Sequence, residues 1–165
     1  MTTDGTDFEI YEPTPFDPMW YSHKFHGPGV RYEVGICIQT GWIVWINGPY
    51  PCGEWPDLRI ARDALHYMLA PGEFYVADGG YAEGGQHSDT PNGLNDPDQK
   101  MKAIARARHE TINGRFKQFN VLYRVFRHDV SRHSICFRAV ANVVQMMMEN
   151  GSPAFTVDYD DQHES

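Results

Sequence analysis

Apolar and polar residues alternate through Val30, Tyr32, Val34, Ile36 and Ile38. A period of two over that length predicts a strand with one buried face. Asp7 to Ile10 alternates in the same way, ahead of a stretch interrupted by Pro13, Pro15 and Pro18. Trp42 to Ile46 follows the turn pair Thr40-Gly41, so two adjacent antiparallel strands with a short hairpin connection are expected. Gly48, Pro49, Pro51 and Gly53 then break the pattern. From Asp57, residues Leu58, Ala61, Leu65, Met68 and Leu69 recur at helical spacing and stop at Pro71-Gly72. Asp57 is read first as a cap or first-turn residue, where a carboxylate meets unpaired amides, and second as a site residue. Phe74 to Ala77 is a short apolar run bounded by turn residues, which predicts a buried strand with a parallel partner. Asp78 stands at its carboxyl end, where open α/β sheets place ligands, and Gly79-Gly80 lets the chain turn.

Gly84 to Pro97 carries no packing pattern and reads as a loop. A helix is expected from Asp98 to about Phe119. At 100° per residue, Met101, Ile104, Ala105, Ile112, Phe116 and Phe119 share one arc, and Arg106, Glu110, Asn113 and Lys117 share the opposite one. Arg108 falls on neither, and His109 is read as a surface residue. A last helix is expected from about Val130 to Glu149, with its methionines as core filling. The domain is expected to span residues 1–157, and the acidic remainder, 158–165, lacks the apolar content to pack.

A chain of 165 residues suits one domain. Its net charge of −8 argues on first sight against a nucleic-acid partner, but the distribution reverses that impression. Ten of the fourteen Lys and Arg lie between Lys100 and Arg138, against only Glu110 and Asp129. Such a local surplus of cations in an acidic chain suits an anionic partner. Cys37, Cys52 and Cys136 are odd in number and widely spaced, so neither a disulfide framework nor a zinc site is indicated, and a reducing compartment is expected. The pairs His23 with His26 and His128 with His133 lack cysteine partners at zinc spacing. The apolar runs are far shorter than the roughly 20 residues that span a bilayer, so no membrane partner is expected.

Three carboxylates carry the chemistry: Asp4 in DGTDFEI, Asp78 in VADGGY and Glu110 in RHETINGRFKQF. With YSHKFHGPGVRYEVGICI and the Gly53-x-x-x-Asp57 spacing between them, these segments, in this order, resemble the DDE catalytic domain of Harbinger-type transposases. The resemblance runs from Asp4 to about Val157. It implies an α/β, ribonuclease H-like fold, a mixed sheet flanked by helices. Asp4, Asp78 and Glu110 match the catalytic and metal-binding positions. The implied cofactor is Mg²⁺ or Mn²⁺, the substrate DNA, and the location the nucleus. Arg106, Asn113 and Lys117, on the Glu110 arc, are the candidate nucleic-acid contacts. Only three residues precede Asp4, so the first strand is expected to be truncated and DNA recognition to come from a separate protein. The alternative is a domesticated, non-catalytic remnant that binds nucleic acid or protein. A metal-dependent phosphatase is a third reading, one that needs no basic stretch.

Overall fold

The computed structural model describes residues 1–82, 87–90 and 99–154. The strands are β1 (Thr2–Glu9), β2 (Tyr21–Ser22), β3 (Gly27–Ile36), β4 (Ile43–Pro51), β5 (Tyr75–Val76) and β6 (Ser88–Asp89). The helices are α1 (Asp57–Ile60), α2 (His66–Met68), α3 (Gln99–Phe116), α4 (Asn120–Tyr123) and α5 (His133–Glu149). A π-helical turn, Ala61–Leu65, joins α1 to α2. The sheet runs β2-β3-β1-β5-β6, with β4 on the other side of β3. It is mixed: β1 is antiparallel to β3 and parallel to β5. With helices on both faces, this is the ribonuclease H-like arrangement expected.

Alternation along β1 and β3 assigns the two faces. Cross-strand partners share a face, so the register Asp4↔Val34, Thr6↔Tyr32 and Phe8↔Val30 puts these residues on one side. There Phe8, Val30, Tyr32 and Val34 close a core with Ile112 and Phe116 of α3 and Phe137, Val140 and Val144 of α5. Tyr32 and Phe137 stack with ring centroids 4.0 Å apart. The intervening residues, Gly5↔Glu33 and Asp7↔Arg31, point to the other side. A smaller core of Ala61, Leu65, Tyr75, Ala77 and Tyr81 fills that side under α1 and α2.

The hairpin is as expected: Cys37 N–H donates to Trp42 O at 2.8 Å, and Gly41 takes φ +73°, where a side chain would be strained. The second strand, however, does not stop at Gly48 but continues to Pro51, with register shifts between Arg31 and Glu33. Among the described residues β4 pairs only with β3, and on an edge strand a proline can face away from the ladder without losing a bond. Phe74 lies outside the short β5, which pairs in parallel with β1 rather than with β4. Helix α3 begins at Gln99 and α5 is preceded by a 3₁₀ turn, Val130–Arg132. All three cysteines are free. Most of the expected loop, Gly84 to Pro97, and the acidic end of the chain lie outside the described residues. No described helix is long and apolar enough to cross a membrane.

Candidate functional site

Parallel pairing of Thr2 with Val76 sets the site. Two residues further along each chain stand Asp4 and Asp78, so the same register brings their carboxylates together on the α3 side of the sheet. Asp78 also forms the turn: its Oδ1 accepts the Gly80 N–H at 2.8 Å, capping the 3₁₀ turn Gly79–Tyr81. Forming the turn and facing Asp4 are compatible, because a carboxylate has two oxygens.

Asp4 and Asp78 line a cavity of about 370 Å³ whose far wall is α3, with Arg106, His109 and Glu110. Glu110 is exposed, and among the described residues no ion pair joins it to Arg106. The sequence-predicted carboxylates therefore border one space. Among the described residues, though, no three His, Cys, Asp or Glu side chains converge tightly enough to hold a metal ion. Of the other candidates, Arg106 lines this cavity, whereas Lys117 lies toward Lys24 and Asp7, and Asn113 is half-buried on α3. Arg108 is buried and donates to the carbonyls of Cys37 and Ile38, closing the end of β3.

His109 corrects the surface assignment. It is buried, and its Nε2 lies 2.8 Å from Thr2 Oγ1. Burial pushes its pKa down to about 4, so the imidazole is neutral at physiological pH. This contact ties the start of β1, which carries Asp4, to the turn of α3 that carries Glu110. The signal is present in the chain: His109 stands three residues before Ile112 and seven before Phe116, on the arc that packs.

Of the two positions expected for Asp57, the first turn is the one it takes. Pro56 is the N-cap, with no side-chain cap bond, and Asp57 occupies the first turn of α1. Its carboxylate reaches under β1, where Oδ1 would be 2.2 Å from a β-carbon on Gly5 and Oδ2 3.2 Å from one on Gly80. Arg31 Nη1 is 3.2 Å from Oδ1, but that oxygen is buried without a well-aligned hydrogen bond. The rest of the Arg31 guanidinium grips Asp7 bidentately, Nε to Oδ1 at 2.6 Å and Nη2 to Oδ2 at 2.9 Å. A second cavity, about 540 Å³, opens on this side between Asp4, Asp78, Asp57 and Lys24.

Electrostatics show what the arrangement lacks. Burial, then the charges of Asp78 and Asp57, raise the Asp4 carboxyl to about 6, with Lys24 a small opposing influence. Asp57 is raised by burial and by Asp7 and Asp78, against the Arg31 charge. The site thus gathers more negative charge than its own cations neutralise, and its donors are hard carboxylate oxygens of the kind that Mg²⁺ and Mn²⁺ take. The chemistry of these donors suits a divalent cation, although among the described residues no three of them converge on one point.

No curated protein and no solved structure matches the chain. A family model does match, over residues 3–147, and its description is DDE superfamily endonuclease. The match takes in the β1 carboxylate, the carboxylate beyond β5, the acidic residue of α3 and the core that holds them, and the chain belongs to the DDE superfamily endonuclease family.

Proposed function

We propose that this chain cuts and joins DNA strands with divalent cations held by Asp4, Asp78 and Glu110, as a transposase of Harbinger type acting in the nucleus. The observation that supports the reading is that Asp4 of β1 and Asp78, just beyond β5, line one cavity with Glu110 and Arg106 of α3. Bound Mg²⁺ or Mn²⁺ would activate a water or 3′ hydroxyl and stabilise the leaving oxygen of an in-line phosphodiester displacement. The residues of the chain supply position and charge. Asp78 is held by the Gly80 amide, Asp4 is fixed in the central strand, and the His109–Thr2 contact ties the α3 turn that carries Glu110 to the start of β1. Arg106 lines the same space, where its guanidinium would hold a phosphate oxygen. Lys117, with Lys24 nearby, and Asn113 would take phosphates next to it. Reading of a particular DNA sequence would come from a separate protein.

A second reading, a non-catalytic module that binds nucleic acid or protein, draws on the exposed position of Glu110, which stands apart from the Asp4 and Asp78 pair. Calorimetric titration of Mg²⁺ and Mn²⁺ into the purified chain separates the two. Binding weakened by each of Asp4→Asn, Asp78→Asn and Glu110→Gln, in variants that melt like the parent, is the expected result, followed by metal-dependent nicking of supercoiled DNA. A folded chain that binds DNA but neither cation, with or without that DNA, would leave the second reading standing.

A further inference from the structure

At its far end, β1 acquires another neighbour. Its β5 side is paired at Thr2, and the same side is taken up at Ile10 by Phe126, in a parallel bridge. Phe126 N–H donates to Glu9 O at 2.9 Å, and Tyr11 N–H donates to Phe126 O at 2.8 Å. The Phe126 side chain is buried in the main core. A ribbon is thereby clipped to the sheet, and what flanks the anchor points outward: Arg124, Arg127 and His128 are exposed. Tyr11 and Tyr123 beside them are 66% and 67% exposed, high values for aromatic residues. Neither guanidinium meets an acceptor among the described residues. Of the acids nearby, Asp129 turns an oxygen to the Ser131 N–H, and Glu9 is half-buried in the groove wall.

We infer that this ribbon, Arg124 to His128 with Tyr11 and Tyr123, is a second grip on DNA, holding the phosphate backbone of the duplex that flanks the cleavage point. The inference rests on DNA being the substrate. Guanidinium, imidazole and phenol groups can donate to phosphate, and the two guanidiniums meet no acceptor among the described residues, while the His128 ring packs edge-on against Phe126. The spacing suits the role. Asp78 and the ribbon lie on one side of β1, and Asp4 is five residues from Glu9, about 17 Å at strand rise. Along the axis of a duplex the phosphates of one strand advance by roughly 3.4 Å per base pair. For a duplex lying along β1, the ribbon therefore meets DNA about five base pairs from the carboxylates. Contacts of this kind set register and affinity and carry no base readout.

The test is fluorescence anisotropy of a labelled duplex of about 20 base pairs, without divalent cation, over a range of salt. For Arg124→Ala with Arg127→Ala, the slope of log affinity against log salt is expected to fall in magnitude by about 2, as each missing guanidinium leaves one phosphate with its counterion. Arg59→Ala removes one charge from a guanidinium that stacks over Trp55 at 4.2 Å, and it should leave the slope unchanged. An unchanged slope in the double variant, while the parent binds, overturns the second grip alone. A folded parent that binds no duplex at low salt overturns DNA as the substrate and this inference with it. All three substituted side chains are exposed, so melting temperatures close to the parent are the check on folding.

Discussion

The Asp57 carboxylate occupies the space that a side chain on Gly5 would need: a β-carbon at residue 5 would lie 2.2 Å from Asp57 Oδ1. Gly5 follows Asp4 in the central strand, so the absence of a side chain there lets a carboxylate come up beneath the site from the opposite face. Gly5→Ala is expected to destabilise the fold by about 1–3 kcal/mol through overpacking. Asp57→Ala in the same chain should recover part of that loss, giving a coupling of about 1 kcal/mol or more in a double-mutant cycle followed by urea denaturation. Independent, additive effects would mean that the two residues do not share this space.

Arg31 is the cation that lets Asp7 stay buried. The Asp7 side chain is 5% exposed and takes both of its strong hydrogen bonds from that guanidinium. Arg31→Ala strands the carboxylate and should cost about 3–5 kcal/mol by chemical denaturation. Arg31→Lys should recover only part of this, because an ammonium cannot reproduce the two parallel bonds.

Protonation of Asp4 competes with any cation at the site. Its carboxyl is raised to about 6, so affinity for Mn²⁺ should climb as pH rises through 6 and level off above 7. Asp78→Asn removes the nearest negative charge and should move the Asp4 midpoint down, as read from its carboxyl carbon by NMR titration. A midpoint near 4 in the parent chain would remove Asp78 and burial as influences on Asp4.

Stability against pH has two opposing contributions. Asp4, at about 6, and Glu33, at about 7, hold protons in the folded state that the unfolded chain has released, so their contribution is full below about pH 4 and lost as pH rises through the folded values. His109 and His133, both lowered to about 4 by burial, exclude protons that the unfolded chain takes up, and theirs is lost as pH falls from 6.5 toward 4. Asp4→Asn deletes one carboxyl from this balance. Relative to the parent, the variant should gain on the order of 1 kcal/mol at pH 8, keep about half of that at pH 5 and lose the rest as pH falls to about 4, by urea denaturation at each pH.

Much of the fold is legible in the chain because its main signals are local. The β3 alternation, the turn at Thr40-Gly41 and the periodicity of α3 and α5 each sit within a short window, and each element formed as expected. The position of Asp78 beyond a buried strand is equally local. Pairing is not: β4 runs on through Pro49 and Pro51 because it is an edge strand, and only the assembled sheet says which strand is at the edge. His109 marks an intermediate case, since its place on the packing arc is readable but its partner, Thr2, is 107 residues away.

Within the chain, periodicity and turn chemistry set the kinds of element and their order, because both act between near neighbours, while the three carboxylates stand out through the order of motifs that resembles the DDE family. Tertiary structure alone decided which charges meet. The Thr2 to Val76 register puts Asp4 beside Asp78, and the glycine at position 5 admits Asp57 from below. The Phe126 anchor turns Arg124 and Arg127 outward along the same side of β1. Each of these depends on contacts between residues far apart in the chain, and a proton or a phosphate responds to distance in space, not in sequence.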